Sequence, residues 1–321
     1  MTSRTSLGRR LVALAGVVSI AIAVAACGGT SSSPASPGAD PSKDKLAHVL
    51  ARGTLALWTD TEYPPQSFRV DGSTRSAATK CAPNQLTEPE VSGYDAETGK
   101  LVASAFGVEP CFVATPFDSM IAGSWGDRFD VAWASGAITA SRLEKLYVTQ
   151  PYYSTPASFF VGADSSVTDP RKLSGKQIGA CAGCTHELYL RRTLELPGVA
   201  LDWLVDDPKI VTYNTEPPGL EAVEAGDIEA FLCSEPVGLA AIKDGAKLRK
   251  LETPAFYTQK TGYIDRDVGL APAAFVDRIN GAIRDLHASG KLKDLSVQFF
   301  ETDYATAAAQ FDLSKVGQTV P

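Results

Sequence analysis

Short strands alternate with helices along two separate stretches of this sequence, and that alternation limits the fold more than any other feature. The first stretch has predicted strands at 54–58, 111–114 and 129–133, and the second has them at 176–180, 210–213 and 228–232. Strands that alternate with helices form parallel sheets covered on both faces. The pattern therefore predicts an α/β protein with two doubly wound lobes, separated near residues 159–161. Such sheets bind ligands at the carboxyl ends of their strands.

The first 26 residues have the composition of an export signal. Three arginines precede an apolar run at 11–24, and small residues follow it. That run is shorter than the roughly 20 residues that a permanent membrane-spanning helix needs. The sequence Val24-Ala25-Ala26-Cys27 resembles the bacterial lipobox, which implies cleavage before Cys27 and acylation of its thiol. An ordinary signal peptide with an incidental cysteine is the alternative.

A spacer follows Cys27, because residues 28–41 are almost entirely Gly, Ser, Thr, Ala and Pro. Such a composition cannot bury a core and behaves as a flexible linker. We therefore assign 1–26 to a lipoprotein signal peptide and 27–43 to a lipid-anchored linker. Lobe I is predicted to comprise 44–158 plus 255–321, and lobe II 159–254, with hinge crossings near 159–161 and 251–256.

Charge excludes some classes of partner. Loss of the three signal arginines changes the formal net charge from −7 to about −10. An acidic body argues against nucleic acid and against anionic lipid surfaces as partners. Gly-rich phosphate loops, Gly-x-Ser-x-Gly elbows and His-Glu-x-x-His motifs do not occur, and the three histidines are scattered. We therefore expect a protein that is not an enzyme.

Five cysteines remain beyond Cys27, and outside the cytoplasm disulfides are the usual state. Cys81 and Cys111 lie in one region and are predicted to pair. The other three are Cys181, Cys184 and Cys233. We expect a structural disulfide among them, with the pairing open and at least one thiol left over. The Cys-x-x-Cys could also be a redox pair or half of a zinc site, but no second such motif or His pair completes it. We expect no metal and no cofactor.

Six motifs in consistent order resemble the family 3 extracellular solute-binding proteins, the receptors of amino-acid ABC importers. They are Tyr63-Pro64-Pro65, Gly93-Tyr94-Asp95, Ile138-Thr139 with Arg142, Pro151-Tyr152, Gly183-Cys184-Thr185 and the segment 280–290. The resemblance extends from about residue 46 to residue 300. It implies a fold like that of the type II periplasmic binding proteins, with a ligand held between the lobes.

The resemblance also implies which side chains hold that ligand. Arg142 is expected to grip an α-carboxylate, since a guanidinium at the start of a helix can bind a carboxylate through two hydrogen bonds. The backbone amide of Ala137 and the hydroxyl of Thr185 would assist it. Tyr63 and Phe117 occupy positions from which the family sandwiches the ligand side chain.

Two further residues are expected at the polar end of the ligand. Asp60 follows the first strand, at a position that pairs with cationic side chains in some members of the family. Ser135 would accept a hydrogen bond from the ligand ammonium.

Some positions depart from the family pattern. Ser234 stands where an aspartate usually binds the α-ammonium, so either the adjacent Glu235 takes that role or the ligand lacks a standard ammonium. Cys184 replaces a threonine of the second lobe, and Ala137 replaces a Ser or Thr. These changes affect the identity of the ligand and leave the class of protein unchanged.

The sequence thus predicts a monomeric receptor on the extracytoplasmic face of the cell membrane. It would be lipid-anchored, capture a polar amino acid or a close analogue, and present it to an ABC permease. One alternative is a cyclohexadienyl dehydratase-like enzyme with Glu235 as general acid. Another is a sensory binding module, which usually continues into a transmembrane helix.

Overall fold

The computed structural model describes residues 39–267 and 269–321. The predicted signal peptide, Cys27 and nearly all of the linker lie outside the described residues. Within those two ranges, no helix combines the length and the apolar character needed to cross a membrane.

The first lobe is built on three parallel strands with helices on both faces. Its N-terminal elements are α1 (Lys45–Arg52), β1 (Thr54–Trp58), β2 (Glu62–Tyr63), β3 (Ser67–Arg69), β4 (Val91–Ser92), α2 (Tyr94–Phe106), β5 (Glu109–Val113), α3 (Phe117–Ile121), β6 (Val131–Ala137), α4 (Ala140–Leu143) and β7 (Leu146–Val148). Strand β1 pairs in parallel with β5 and β6. Strands β2, β3 and β4 form a separate small sheet.

The helix ends of this lobe follow from local sequence. The Asp44 side chain accepts a hydrogen bond from the Ala47 amide at 2.7 Å, which caps the start of α1. Gly53 ends α1 in a left-handed conformation with φ of 72°, which a glycine adopts without steric cost. Gly107 ends α2 in the same way.

The chain crosses to the second lobe through one long strand, β8 (Tyr153–Gly162). The second lobe contains β9 (Gln177–Cys181), α5 (Thr185–Leu190), β10 (Lys209–Tyr213), α6 (Glu216–Ala225), β11 (Ala230–Ser234), α7 (Glu235–Lys243) and β12 (Leu248–Lys250). Strand β9 pairs in parallel with β10 and β11. The chain returns through β13 (Phe256–Asp265), followed by α8 (Ala273–Ala288) and α9 (Lys291–Phe300).

The two crossing strands join both lobes into one curled sheet. Its order is β10-β9-β11-β8-β13-β6-β1-β5. Strands β8 and β13 pair antiparallel over most of their length, from Phe256 opposite Ala157 to Lys260 opposite Tyr153. The predicted α/β fold with two doubly wound lobes is therefore confirmed. The residue boundaries of the two lobes, as parts that would move separately, remain a prediction.

Alternating side chains of the parallel strands fill a core on each face of the sheet. In β1, Leu55 and Leu57 join one apolar cluster, whereas Trp58 joins the cluster on the opposite face. In β11, Leu232 and Phe231 divide between two clusters in the same way. A strand that is buried on both faces reads as a continuous apolar run, which is why these strands could be recognised.

Two consecutive helices follow β13 near the end of the chain. Gly290 lies between α8 and α9 with φ of 76° and turns the chain there. Short 3-10 helices lie at 88–90, 170–173, 306–310 and 313–316.

Two disulfides are present in the described part of the chain. Cys81 pairs with Cys111, as predicted, and holds the long segment after β3 against β5. Cys181 pairs with Cys184, which resolves the pairing that the sequence left open. Cys233 is a free thiol, buried in the apolar cluster around Phe231.

Candidate functional site

A cleft between the lobes lies at the carboxyl ends of β1, β6, β9 and β10. It has an empty volume of about 640 Å³, including space that is open to solvent. Eight of the ten predicted ligand contacts line it: Asp60, Tyr63, Phe117, Ser135, Ala137, Arg142, Cys184 and Thr185. Further lining residues that the sequence did not single out include His186, Asn214, Thr215, Glu216 and Lys260.

Arg142 is held in place by the turn between β6 and α4. The Thr139 side chain accepts a hydrogen bond from the Arg142 amide at 3.3 Å and so caps the helix. The guanidinium Nη1 donates to the Ala137 carbonyl at 3.2 Å and to the Tyr263 hydroxyl at 3.0 Å. The residue is only 6% exposed. Among the described residues, no carboxylate lies within 4.0 Å of it.

Aromatic rings border Arg142 on the first lobe. The Arg142 guanidinium carbon lies 5.3 Å from the centre of the Phe117 ring, within range of a cation–π interaction. The Phe117 ring in turn lies 6.1 Å from that of Trp58. Trp58 is fixed because its Nε1 donates to the Thr115 hydroxyl at 2.9 Å. The apolar wall of the cleft is therefore held by packing from behind.

Ser135 is part of a buried network with Asp95. Its hydroxyl donates to Asp95 Oδ2 at 2.6 Å, and Tyr152 donates to Asp95 Oδ1 at 2.8 Å. The Ser135 amide donates to the Tyr152 hydroxyl at 2.9 Å. Burial raises the pKa of Asp95 to about 7, and the hydrogen bonds from Ser135 and Tyr152 oppose that rise. Ser135 has a φ of 55°, a strained conformation that this network stabilises.

Asp60 and Tyr63 border the cleft beyond the end of β1. The Asp60 carboxylate accepts a hydrogen bond from the Glu62 amide at 3.0 Å, and burial raises its pKa. Tyr63 packs against an apolar cluster of the second lobe that includes Leu220 and Val237. It therefore connects the two sides of the cleft.

The second lobe presents the Cys181–Cys184 disulfide at the end of β9. Cys184 is the N-cap of α5, and Thr185 is its first residue and nearly fully buried. The bridge makes Cys184 part of the scaffold at the position where the resemblance expected a threonine.

Ser234 and Glu235 do not line the cleft. The Ser234 hydroxyl lies 3.2 Å from that of Thr155, deep between β11 and β8. The Glu235 carboxylate accepts hydrogen bonds from Ser158 at 2.9 Å and Tyr304 at 2.9 Å, and Lys250 Nζ lies 3.0 Å from it. These contacts hold the Glu235 carboxylate away from the cleft, so Glu235 does not lie at the predicted ligand position.

Glu216 is the acidic residue that this lobe does present. It is the first residue of α6, just after β10, and is 4% exposed. Its Oε2 atom is buried without a hydrogen-bond partner. The rule that residues after strand ends face the ligand could have identified it, but the motif pointed to the end of β11 instead.

Lys260 is the second cation of the cleft. It lies on β13 and is 3% exposed. Burial lowers its pKa to about 8, against the attraction of Glu216. Burial also raises the pKa of Glu216 to about 8, against the attraction of Lys260 and a hydrogen bond from the Ser234 amide. A ligand group of opposite charge in the cleft would therefore stabilise the charged form of either side chain.

His186 lies beneath Glu216. Its Nδ1 is 3.4 Å from Glu216 Oε1. Burial, followed by the charges of Lys260 and Arg142, holds the pKa of His186 well below its usual range. Since the pKa of Glu216 is raised and that of His186 is lowered, this is a contact between neutral groups rather than an ion pair.

Comparison with known proteins finds amino-acid receptors. The L-cystine-binding protein TcyJ of Escherichia coli K12 is 26% identical over 260 residues, which cover 80% of this chain and 86% of that protein. The L-arginine-binding protein of Pseudomonas aeruginosa is 26% identical over 266 residues, with 80% and 96% coverage.

Solved structures of the same fold are also similar. The ancestral amino acid-binding protein AncCDT-1, a precursor of cyclohexadienyl dehydratase, has a TM-score of 0.65 at 21% identity, covering 80% of this chain and 100% of that one. An ancestral arginine-binding protein bound to arginine has a TM-score of 0.61 at 20% identity, with 77% and 98% coverage. The model of the bacterial extracellular solute-binding proteins, family 3, matches residues 55–302, and the chain belongs to that family.

Proposed function

We propose that this protein captures a polar amino acid, or a close analogue, in the cleft between its lobes. The observation that carries the proposal is the buried Arg142 guanidinium, which lies within hydrogen-bonding reach of the cleft and has no carboxylate partner among the described residues. A charge buried without a partner is costly, whereas one paired with a ligand carboxylate is stabilised. Arg142 therefore binds the α-carboxylate, assisted by the Ala137 amide and the Thr185 hydroxyl.

Oxygen atoms of the cleft would receive the ligand ammonium. The Asp60 carboxylate and the Ser135 hydroxyl lie on the first lobe, and the unsatisfied Glu216 carboxyl lies on the second. Tyr63 and Phe117 enclose the ligand side chain. Lys260 adds a second cation, which suits a ligand with a second anionic group. The similar proteins named for L-cystine and L-arginine make these two amino acids the first probes.

Contacts across the cleft support closure around a ligand. The Ala140 amide donates to the Glu195 carbonyl at 3.0 Å, and Arg142 Nη2 lies 3.5 Å from the Gly183 carbonyl oxygen. We propose that 44–158 with 255–321, and 159–254, move as two bodies that rotate about β8 and β13. Opening would break these contacts and admit the ligand.

Thermal-shift screening of the full chain, stripped of ligand by denaturation and refolding, tests this function. The probes are the twenty proteinogenic amino acids, L-cystine and polyamines. One or a few polar amino acids should raise Tm by several degrees, because binding to the folded state stabilises it. Lack of stabilisation by every amino acid in the panel would contradict the proposal.

The location follows from the N-terminal sequence. We propose that acylation of Cys27 anchors the protein, as a monomer, on the extracytoplasmic face of the cell membrane beside an ABC permease. Two or more acyl chains give stable anchoring. Mass spectrometry should find the mature chain beginning at a lipid-modified Cys27, and Cys27→Ser should release the protein from the membrane fraction. A Cys27→Ser protein that stays membrane-bound to the same extent would contradict the anchor.

One observation favours a dehydratase as the second candidate. Burial raises the pKa of Glu216 to about 8, so this cleft residue carries a proton at neutral pH that a general acid could donate, whereas Glu235 does not line the cleft. Lys260 also supplies a second cation for a dicarboxylate such as prephenate. Incubation of the protein with prephenate discriminates: stabilisation without turnover supports the receptor, and loss of prephenate supports the enzyme.

A further inference from the structure

Four possible metal-binding atoms meet at the floor of the cleft, around the Cys181–Cys184 disulfide. His186 Nδ1 lies 3.6 Å from Cys181 Sγ and 3.4 Å from Cys184 Sγ. Glu216 Oε1 lies 3.6 Å from Cys181 Sγ and 3.4 Å from His186 Nδ1. A disulfide sulfur carries no proton, so the sulfur distances are contacts rather than hydrogen bonds. Two thiolates, an imidazole and a carboxylate form a donor set that Zn²⁺ prefers.

Four of the six distances among these atoms match those of a tetrahedral zinc site. With Zn–S of about 2.3 Å and Zn–N and Zn–O of about 2.0–2.2 Å, a tetrahedron needs about 3.6 Å between S and N or O, and about 3.4 Å between N and O. The observed distances are 3.4 and 3.6 Å for sulfur to nitrogen, 3.6 Å for sulfur to oxygen and 3.4 Å for nitrogen to oxygen. The other two edges do not match, because a bond joins the two sulfurs and the Glu216 carboxylate lies outside the group of Cys181, Cys184 and His186 donors that are within 4.8 Å of one another. After reduction, Cys184 Sγ would have to turn away from Cys181 Sγ and toward Glu216.

The surroundings of the cluster provide a second, independent indication of a ligand. His186 and Glu216 are each 4% exposed, and Glu216 Oε2 is buried with no hydrogen-bond partner. Buried polar atoms in folded proteins are rarely left unsatisfied. A cation that a rotation of the carboxyl group brought against Oε2 would satisfy this atom.

We propose that reduction of the Cys181–Cys184 disulfide converts the floor of the cleft into a four-donor site for Zn²⁺. A dithiol of the cell envelope would supply the electrons: its two S–H groups transfer two electrons and two protons to the disulfide, and it leaves as a disulfide itself. Cys181 and Cys184 become thiols, and Zn²⁺ then displaces their two protons. His186 and Glu216 complete the tetrahedron.

The position in sequence explains why a zinc site was not expected. Cys181, Cys184 and His186 lie within six residues of one another, whereas Glu216 comes from α6, the next helix along the chain. The parallel pairing of β9 with β10 places the starts of α5 and α6 side by side. The fourth donor is therefore supplied by sheet topology rather than by a sequence motif. Because these residues also line the cleft, a bound metal would lie beside the proposed amino-acid site.

Titration of the full chain with Co²⁺ tests the proposal without any amino acid present. The protein is first reduced with a water-soluble phosphine, which is oxidised to the phosphine oxide with an oxygen atom from water. The reduced protein is then desalted in the absence of oxygen. The reduced protein should bind one Co²⁺ per chain, with the thiolate charge-transfer band and visible bands of a tetrahedral complex. Zn²⁺ should displace it, and the oxidised protein should show neither band.

Variants separate the four-donor site from reactive thiols in general. Cys181→Ser with Cys184→Ser keeps Cys81, Cys111 and Cys233 and should lose the spectrum. His186→Ala and Glu216→Gln should each weaken Zn²⁺ binding by about tenfold or more, because each removes one donor. Equal Co²⁺ spectra in the double serine variant, or unchanged affinity in both single variants, would overturn the proposal.

Reduction also breaks the Cys81–Cys111 disulfide, and a variant that lacks this disulfide controls for its loss. In a Cys81→Ala, Cys111→Ala protein, Cys181–Cys184 is the single reducible bridge among the described residues, and circular dichroism reports whether the chain stays folded. Reduced protein that binds no Co²⁺ in either background would contradict the proposal.

Discussion

Replacement of Arg142 by alanine removes the group that we assign to the ligand carboxylate. The side chain is 6% exposed, and its guanidinium contacts the Ala137 carbonyl and the Tyr263 hydroxyl. Neither partner is charged, so the variant leaves no unpaired protein charge. The principal loss is the pair with the ligand.

The size of this loss follows from the burial of the site. Removal of one member of a buried ion pair costs about 3–5 kcal/mol, because the other charge is left in a poorly solvated place. Since every 1.4 kcal/mol corresponds to about tenfold in Kd, Arg142→Ala should weaken binding by about a hundredfold or more. Arg142→Lys keeps the charge but loses the two-pronged geometry, and it should give an intermediate Kd.

Isothermal titration calorimetry measures these changes with the amino acid that stabilises the protein most. Arg171→Ala is the matched control, because Arg171 is 57% exposed on the second lobe and pairs with surface carboxylates. It should bind like the unmodified protein. An Arg142→Ala protein that is folded and has unchanged affinity would remove Arg142 from the site and refute the reasoning.

Three further perturbations test other parts of the structure. Because the folded Glu216 carboxyl keeps its proton up to pH about 8 and the unfolded one releases it near 4.5, the free energy of unfolding should fall as pH rises through this window. Glu216→Gln removes this pH dependence, so the free energy of unfolding of the variant relative to the unmodified protein should grow by up to about 4 kcal/mol between pH 5 and 8 in denaturant titrations; parallel curves would contradict the shift. Replacing Cys81 and Cys111 together by alanine should lower the free energy of unfolding by about 3.5 kcal/mol, since the bridge closes a loop with a sequence separation of 30; an unchanged urea midpoint would oppose this. Gly238→Ala would place a Cβ 2.2 Å from the buried Phe160 ring and should cost about 1–3 kcal/mol in the same titration, whereas equal stability would argue against that packing.

The sequence predicted the features that depend on local patterns. Strand β1 was recognisable as the apolar run at 54–58, and β9 as the strand predicted at 176–180. Arg142 was identifiable from the motif Ile138-Thr139 with Arg142, which covers the turn between β6 and α4. Each of these signals lies within one element and its neighbouring turn.

Residues that depend on pairing between distant segments were not predicted. Lys260 reaches the cleft because β13 returns antiparallel between β8 and β6, and strand direction of this kind has no local signal. Glu216 was missed because the family pattern placed the acid after β11, where the side chain of Glu235 is held by Ser158, Lys250 and Tyr304 instead. The carboxyl-end rule for parallel strands would have favoured Glu216.

The disulfide pairing among the second-lobe cysteines could not be predicted from the sequence for a similar reason. Cys181 and Cys184 are close in sequence, but Cys233 was also available on β11. In the structure Cys233 packs on the face of the sheet that carries Phe160 and Phe231. It is thereby separated from the short turn that joins the other two.

A crystal structure of the protein with the amino acid that raises its Tm most would test the central claim directly. The account predicts the ligand between the lobes, with α-carboxylate oxygens within about 3.2 Å of the Arg142 guanidinium nitrogens. Its ammonium should contact oxygens of Asp60, Ser135 or Glu216. An amino acid bound outside the cleft, or one whose carboxylate contacts other residues and leaves Arg142 unpaired, would contradict it.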